Sequence, residues 1–213
     1  MEENLLHIPQ MILIGSSGRN SGKTTLAIAL IKRWKRYFPV VGLKVTTIQD
    51  RDGACPRGGK GCGVCNSLNG DYEILEEINR NLDKDTSLLL AAGADKVYWL
   101  KTLKSNIGDG IAALMQNIPA NTIIVCESNS LRMSVKPGVF IMLDNSKDGQ
   151  IKESAMAVMD KADIIIDYDF KECVNSIIEK IQTNEIQQGL SMKLINGEER
   201  NYGIFSENCA ISS

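Results

Sequence analysis

A short run of small and cationic residues has the composition of a phosphate-binding loop. Residues 15–25 read GSSGRNSGKTT, and Lys23 and Thr24 occupy the lysine and hydroxyl positions of the pattern G-x-x-x-x-G-K-[ST]. Ser17 replaces the first glycine of that pattern, and the neighbouring Gly18 keeps a tight turn feasible. In such a loop, successive backbone N–H groups and a helix N-terminus surround anionic oxygens. The spacing therefore predicts a site for the phosphates of a nucleotide.

Each reactive residue type in this loop has an expected role. Lys23 would bring a mobile positive charge to the β- and γ-phosphates, and the Thr24 hydroxyl would reach a Mg²⁺ ion that keeps most of its waters. The less specific interpretation is a Gly/Ser turn that only caps a helix. A strand, the loop and a helix follow in the order that the chemistry needs, which favours the nucleotide site. Its predicted contacts are Gly18, Arg19, Asn20, Ser21, Gly22, Lys23, Thr24 and Thr25.

Two carboxylates are candidates to assist at the phosphates. Glu127 ends the apolar run TIIVCES at 122–128, where a Mg²⁺ ion or its water needs an acid at the end of a neighbouring strand. Asp50 follows the run VVGLKV and could bind metal or orient a water nucleophile. Either could instead be an ordinary acid at a strand end. With Lys23, these two acids form the predicted catalytic group.

The identity of the base is less clearly written in the sequence. Residues 145–148 read NSKD and follow an apolar run, so they have the composition of the guanine-reading signature N-K-x-D in a different order. A solvated turn explains the same residues. GTP and ATP therefore both stay open as the bound nucleotide.

Three cysteines lie close together in a glycine-rich stretch at 50–70. Cys55, Cys62 and Cys65 place two thiols in a C-x-x-C pair with a third nearby, which suits Zn²⁺ or an iron–sulfur cluster. A redox-active dithiol and an unligated loop are the alternatives. A fourth ligand could come from a second subunit or from this chain, where the candidates are His7, Asp52 and Cys209.

The elements that must position these residues alternate along the chain. Apolar runs predict strands at 11–15, 40–45, 96–102, 122–128, 138–144 and 162–168. Helical patterns occur at 22–37, 71–82, 85–92, 107–117, 151–161 and 170–186. This alternation predicts an α/β chain of three layers with a mainly parallel sheet, namely a P-loop NTPase fold.

The last part of the sequence has a different pattern. Asn196-Gly197 lies between two short apolar runs, which predicts a short C-terminal β-hairpin. We therefore expect a nucleotide-binding domain at 1–188, with the glycine- and cysteine-rich insertion at 50–70, and a β-ribbon appendage at 189–213.

Composition excludes several classes of partner. The 213 residues carry a formal net charge of −2, which does not favour nucleic-acid binding. No apolar run approaches the roughly 20 residues that cross a bilayer, and the N-terminus lacks the basic start of a signal peptide. A cytoplasmic location with reduced cysteines is the expectation.

The loop SGRNSGKTTLA and the segment DKDTSLLLAAGAD at 83–95 resemble the molybdopterin-guanine dinucleotide biosynthesis protein B family. The similarity covers roughly residues 10–130. The matching positions are Asn20 to Thr25, Asp85-Thr86, Ala92-Gly93-Ala94 and Glu127. The family's histidines after the second strand and after the D-T segment are absent, and the cysteine segment is not part of the usual pattern.

The resemblance implies a slow P-loop GTPase that forms homodimers with nucleotide near the interface. It further implies help in attaching a nucleotide to molybdopterin, or in delivering the cofactor to a partner in molybdoenzyme maturation. Two other functions fit the residues. A metallochaperone would carry its cargo on the three cysteines, and a small-molecule kinase would transfer phosphate to an organic acceptor.

Overall fold

The computed structural model describes residues 5–48, 68–80, 84–145, 151–167, 174–187 and 189–195. Seven strands form one sheet in the order β3-β4-β2-β5-β1-β6-β7. Their bounds are β1 Leu6–Ser16, β2 Val40–Ile48, β3 Tyr72–Glu76, β4 Lys96–Leu103, β5 Ile123–Glu127, β6 Val135–Asp144 and β7 Ile164–Asp167. All neighbouring pairs run parallel except β3 and β4, which are antiparallel. The predicted α/β chain with a mainly parallel sheet is confirmed.

Helices cover both faces of the sheet and make the three layers. They are α1 Lys23–Trp34, α2 Asp85–Ala91, α3 Ile107–Met115, α4 Glu153–Met156 and α5 Val174–Glu179. The helices α1, α2 and α5 share one apolar core with the sheet, and α3 and α4 share the other. Successive residues of a strand point to opposite faces. Ile12 therefore enters the first core and Leu13 the second, which explains the continuous apolar runs. No described helix is long and apolar enough to cross a membrane.

The helix predicted at 71–82 is wrong. Tyr72–Glu76 forms the edge strand β3, which pairs with β4 so that Glu73 lies opposite Lys101. Their side chains form an ion pair at 2.8 Å. A short apolar run fits the helical period and the strand period about equally well. Here residues 72–76 pair with β4, and this pairing makes them a strand.

The helix predicted at 170–186 is correct only in part. α5 ends at Glu179, and a two-stranded antiparallel sheet follows, with β8 at Ile181–Ile186 and β9 at Gly189–Leu194. Gly189 has a φ of 129°, and a Cβ atom there would collide with the carbonyl of Ala120. The hairpin pairs Ile186 with Gly189, so its turn lies before Gly189. The predicted turn at Asn196-Gly197 lies outside the described residues, and the division at residue 188 stays a prediction.

Candidate functional site

The 17–25 loop connects the end of β1 to the start of α1, at the edge where the parallel strands end. Gly22 precedes the helix with a φ of 81°, and Asn20 also has a positive φ, of 54°. These left-handed positions need glycine or a short polar residue. The backbone N–H groups from Gly18 to Thr25 find no acceptor among the described residues. Consecutive unpaired amides beside a helix N-terminus are the geometry of an anion site.

The carbonyl groups of this loop are engaged by donors from outside it. Asn129 accepts a hydrogen bond from the Ser16 amide at 2.8 Å and returns one to the Ser16 carbonyl at 3.0 Å. The Lys152 amide donates to the Ser17 carbonyl at 2.9 Å, and the Lys152 ammonium donates to the Gly18 carbonyl. Four successive carbonyls, from Ser16 to Arg19, are satisfied in this way when Asn145 is included. The loop is therefore held in shape by its surroundings before any ligand binds.

Asn145 explains why serine can replace the first glycine of the loop pattern. The Ser17 hydroxyl donates to the side-chain oxygen Oδ1 of Asn145 at 2.9 Å and accepts from the backbone N–H of Asn145 at 2.7 Å. The Asn145 side chain also donates to the Arg19 carbonyl at 3.2 Å. A Cβ atom on Gly18 would collide with the same side chain. Asn145, taken in the sequence as part of a base-reading segment, is thus engaged with the loop itself.

Lys23 begins α1 and lies partly buried against the loop. Its ammonium donates to the Ser16 hydroxyl at 2.6 Å. Burial lowers its pKa below the usual value, and the nearby charges of Glu127 and Asp85 oppose that shift. A partly buried cation with no carboxylate in contact among the described residues is expected where an anionic ligand binds.

Glu127 ends β5 beside the loop and is only 5% exposed. Its Oε2 lies 3.4 Å from the Thr24 hydroxyl, and its Oε1 has no partner among the described residues. Burial raises its pKa, and the charge of Asp85 raises it further. The predicted pairing of Thr24 and Glu127 in space is therefore present in the structure.

Asp85 belongs to the D-T segment of the sequence resemblance, but it was not predicted as a site residue. Its Oδ1 also lies 3.4 Å from the Thr24 hydroxyl, which has one proton to donate to either acid, and its Oδ2 pairs with the Lys44 ammonium. Burial opposes its ionisation, but the hydrogen bond and charge of Lys44 outweigh this and lower its pKa. The sequence held a usable indication. A helix that precedes a parallel strand starts at the edge where the strands end, so the first residue of the pattern at 85–92 lies at the same edge of the sheet as the loop.

Lys44 was not predicted as a site residue either. It interrupts the apolar run of β2, and in the sheet it lies between Glu127 on β5 and Trp99 on β4. A cavity of about 380 Å³ opens beside it. The residues that line this cavity are Lys44, Lys84, Asp85, Thr86 and Trp99.

Several predicted site residues cannot be placed. Asp50, the three cysteines Cys55, Cys62 and Cys65, and residues 146–148 lie outside the described residues. His7 lies near the start of β1, about 30 Å of extended strand from the loop. No group of three or more His, Cys, Asp or Glu side chains that could hold a metal occurs in the described part of the chain.

Comparison with known proteins finds no family model that matches this chain and no curated protein that matches it.

Proposed function

We propose that this chain binds a nucleoside triphosphate with Mg²⁺ on the 17–25 loop and hydrolyses it slowly. The observation that carries the proposal is the run of backbone N–H groups from Gly18 to Thr25 that have no acceptor among the described residues, with the partly buried Lys23 beside it. Polyphosphate would satisfy both features, because it offers many acceptor oxygens and several negative charges. The P-loop NTPase fold is part of this proposal, and the strand–loop–helix order of β1 and α1 supports it.

The residues at the loop fit a Mg²⁺ ion. Mg²⁺ prefers oxygen ligands and binds through one or two carboxylates together with substrate phosphates and waters. The Thr24 hydroxyl and Glu127, with its unpartnered Oε1, would hold the ion, and Asp85 lies equally close to Thr24. When bound, the ion would neutralise part of the phosphate charge.

The chain's own groups would do the remaining work by binding and orientation. The loop amides and Lys23 would bind the phosphate oxygens and stabilise the charge that develops as the terminal phosphate leaves. The carbonyl oxygens of Ser16 to Arg19 already accept hydrogen bonds, which would keep them from turning towards the phosphates. Asp50 remains the proposed residue for orienting the attacking water.

The narrower proposal concerns the biological role. The matching residues of the loop and of the segment 83–95 support a GTP-dependent accessory function in attaching a nucleotide to molybdopterin, carried out by a cytoplasmic homodimer. A clear preference for GTP, and faster formation of the dinucleotide when the chain is added to the attaching enzyme, would support this role. Equal affinity for GTP and ATP with an unchanged rate would contradict it.

The proposed function is tested by titrating the full chain with ATP and GTP in the presence of Mg²⁺, using calorimetry. Lys23→Ala should weaken binding by about 10- to 100-fold, because a charge-assisted contact to phosphate is lost. Lys32→Ala, on the exposed side of α1, is the matched control and should bind as the natural chain does. If the natural chain binds neither nucleotide, or if Lys23→Ala binds both unchanged, the proposal is wrong.

A further inference from the structure

The described lining of the cavity beside the 17–25 loop carries more cationic than anionic side chains. Lys44 and Lys84 are cationic, and Asp85, which pairs with Lys44, is anionic. Its volume of about 380 Å³ lies within the range of small-molecule sites, which is roughly 300–1,000 Å³. The described lining residues therefore favour a small anion in a space of suitable size.

Trp99 gives the cavity a flat apolar wall. Its indole N–H donates to the Thr46 hydroxyl at 2.9 Å, so its one polar atom is engaged and the ring is held in place. The Lys101 ammonium lies 4.9 Å from the ring centroid and pairs with Glu73, which further fixes the ring. What the indole presents to the cavity is hydrocarbon surface, which favours contact with another flat body.

Asp85 joins the cavity to the loop. One carboxylate oxygen faces the Thr24 hydroxyl, and the other pairs with Lys44 in the cavity wall. A charge that engages Asp85 from the loop side would weaken its hold on Lys44, and the Lys44 ammonium would then be available to a ligand in the cavity. The two sites should consequently bind their ligands cooperatively.

The cavity and Asn145 lie on different sides of β1. The cavity is built on β2 and β4 and is reached from Thr24 through Asp85. Asn145, the described residue of the predicted base-reading segment, follows β6 on the other side of β1. A nucleotide whose base reached that segment would leave the cavity to a second molecule.

We propose that this cavity binds a small organic anion with a flat, unsaturated body. Its carboxylate or phosphate group pairs with Lys44 and Lys84, and its body lies against Trp99. The proposal rests on the proposed function in one respect, which is that the anion is the second ligand of the nucleotide site. The binding site itself depends only on the cavity.

The test uses the full chain and two aromatic anions, benzoate and phenyl phosphate, with benzyl alcohol and inorganic phosphate as controls for charge and ring. In Trp34→Phe, Trp99 is the only tryptophan, and its fluorescence reports binding. Calorimetry on the natural chain gives a second readout if this core substitution prevents folding. We expect saturable binding of both aromatic anions, at least tenfold tighter than either control. No saturable response, or equal affinity for benzyl alcohol, would overturn the proposal.

Matched variants locate the bound probe. Lys44→Met and Lys84→Met should each weaken benzoate by about tenfold, whereas Lys136→Met, at the opposite edge of the sheet, should not. Lys23→Ala should keep the affinity for both aromatic anions, and a loss there would place the probe on the loop and overturn the assignment. Unchanged affinity in both cavity lysine variants would do the same.

The nucleotide arm separates this proposal from the proposed function. With Mg²⁺ and nucleotide present, benzoate should bind about fivefold tighter or more, and Asp85→Asn should remove that gain. A chain that binds benzoate but no nucleotide retains the cavity site and loses the proposed function. A chain that binds nucleotide but no aromatic anion retains the function and loses the cavity site. Binding of both without coupling would show that the anion is not the second ligand of the nucleotide site.

Discussion

The two sides of the 17–25 loop differ in how fully their polar groups are satisfied. On the side of β6, Asn129, Asn145 and Lys152 bind the carbonyls and the serine hydroxyl of the loop with short hydrogen bonds. On the side of β5 and β2, Lys23 is partly buried with no carboxylate in contact among the described residues, and the buried Glu127 has one oxygen without a partner among them. The difference shows that one side builds a rigid frame, and the other keeps reactive groups in an environment that a ligand would improve.

The largest expected effect comes from breaking the frame at Asn145. Asn145→Ala removes the side-chain oxygen that accepts from the Ser17 hydroxyl and the side-chain N–H that donates to the Arg19 carbonyl, while the backbone N–H bond to the Ser17 hydroxyl remains. The two lost hydrogen bonds should lower the free energy of unfolding by about 2–3 kcal/mol. Urea denaturation measures this change, and nucleotide affinity should fall with it. Asn117→Ala, at the exposed end of α3, is the control and should change stability by less than about 0.5 kcal/mol. Equal effects of the two variants would show that the frame is not rigidly held.

A smaller effect is expected from Ser17→Gly, which restores the common glycine of the loop pattern. The variant loses both hydrogen bonds of the serine hydroxyl to Asn145, and should cost about 1 kcal/mol of stability. In combination with Asn145→Ala, the loss of stability should be clearly less than the sum of the two single losses. Both variants remove the hydrogen bond from the Ser17 hydroxyl to Asn145 Oδ1, which can be lost only once. Additive losses in urea denaturation would mean that the pair does not act as one unit.

The smallest effect, with the opposite sign, is expected from Glu127→Gln. Burial raises the pKa of Glu127, so the folded chain binds a proton there more tightly than the unfolded chain does. This contribution to stability is present at pH below the unfolded pKa and is lost as pH rises through the folded pKa. Glu127→Gln should therefore be the more stable chain above that range, in EDTA.

The measurement is the difference in melting temperature between the natural chain and Glu127→Gln across pH 4 to 8. The difference should grow as pH rises, and the comparison cancels the contribution of Asp163, whose pKa burial also raises. The gain in stability should be accompanied by loss of Mg²⁺-dependent nucleotide binding. A variant that is less stable at every pH would show that Glu127 belongs to the frame.

Much of the sheet could be predicted because its strands are buried on both faces. The runs at 11–15, 122–128 and 138–144 consist mostly of buried apolar residues, so their strand conformation could be predicted without knowing their neighbours in the sheet. Edge and connecting segments are different. Residues 72–76 and 181–186 are only partly buried, and their pairing with β4 and β9 decides their conformation.

The candidate site divides in the same way. The loop was found because its chemistry needs adjacent residues, and Glu127 because it ends a clear strand. Asp85 and Lys44 were not predicted as site residues. Asp85 was noted only as part of the D-T match, Lys44 belongs to no local motif, and the contact that joins them spans 41 residues of sequence.

By itself, the sequence determined the alternation of strands and helices and the strand–loop–helix unit around Lys23. These follow from local periodicity and from the conformational freedom of residues such as Gly22. Only the tertiary structure decided which side chains meet at the loop. The strand order brings β5 and β6 to either side of β1. Glu127 and Asn145 are more than a hundred residues from the loop in sequence, and this arrangement brings them within hydrogen-bond distance of it.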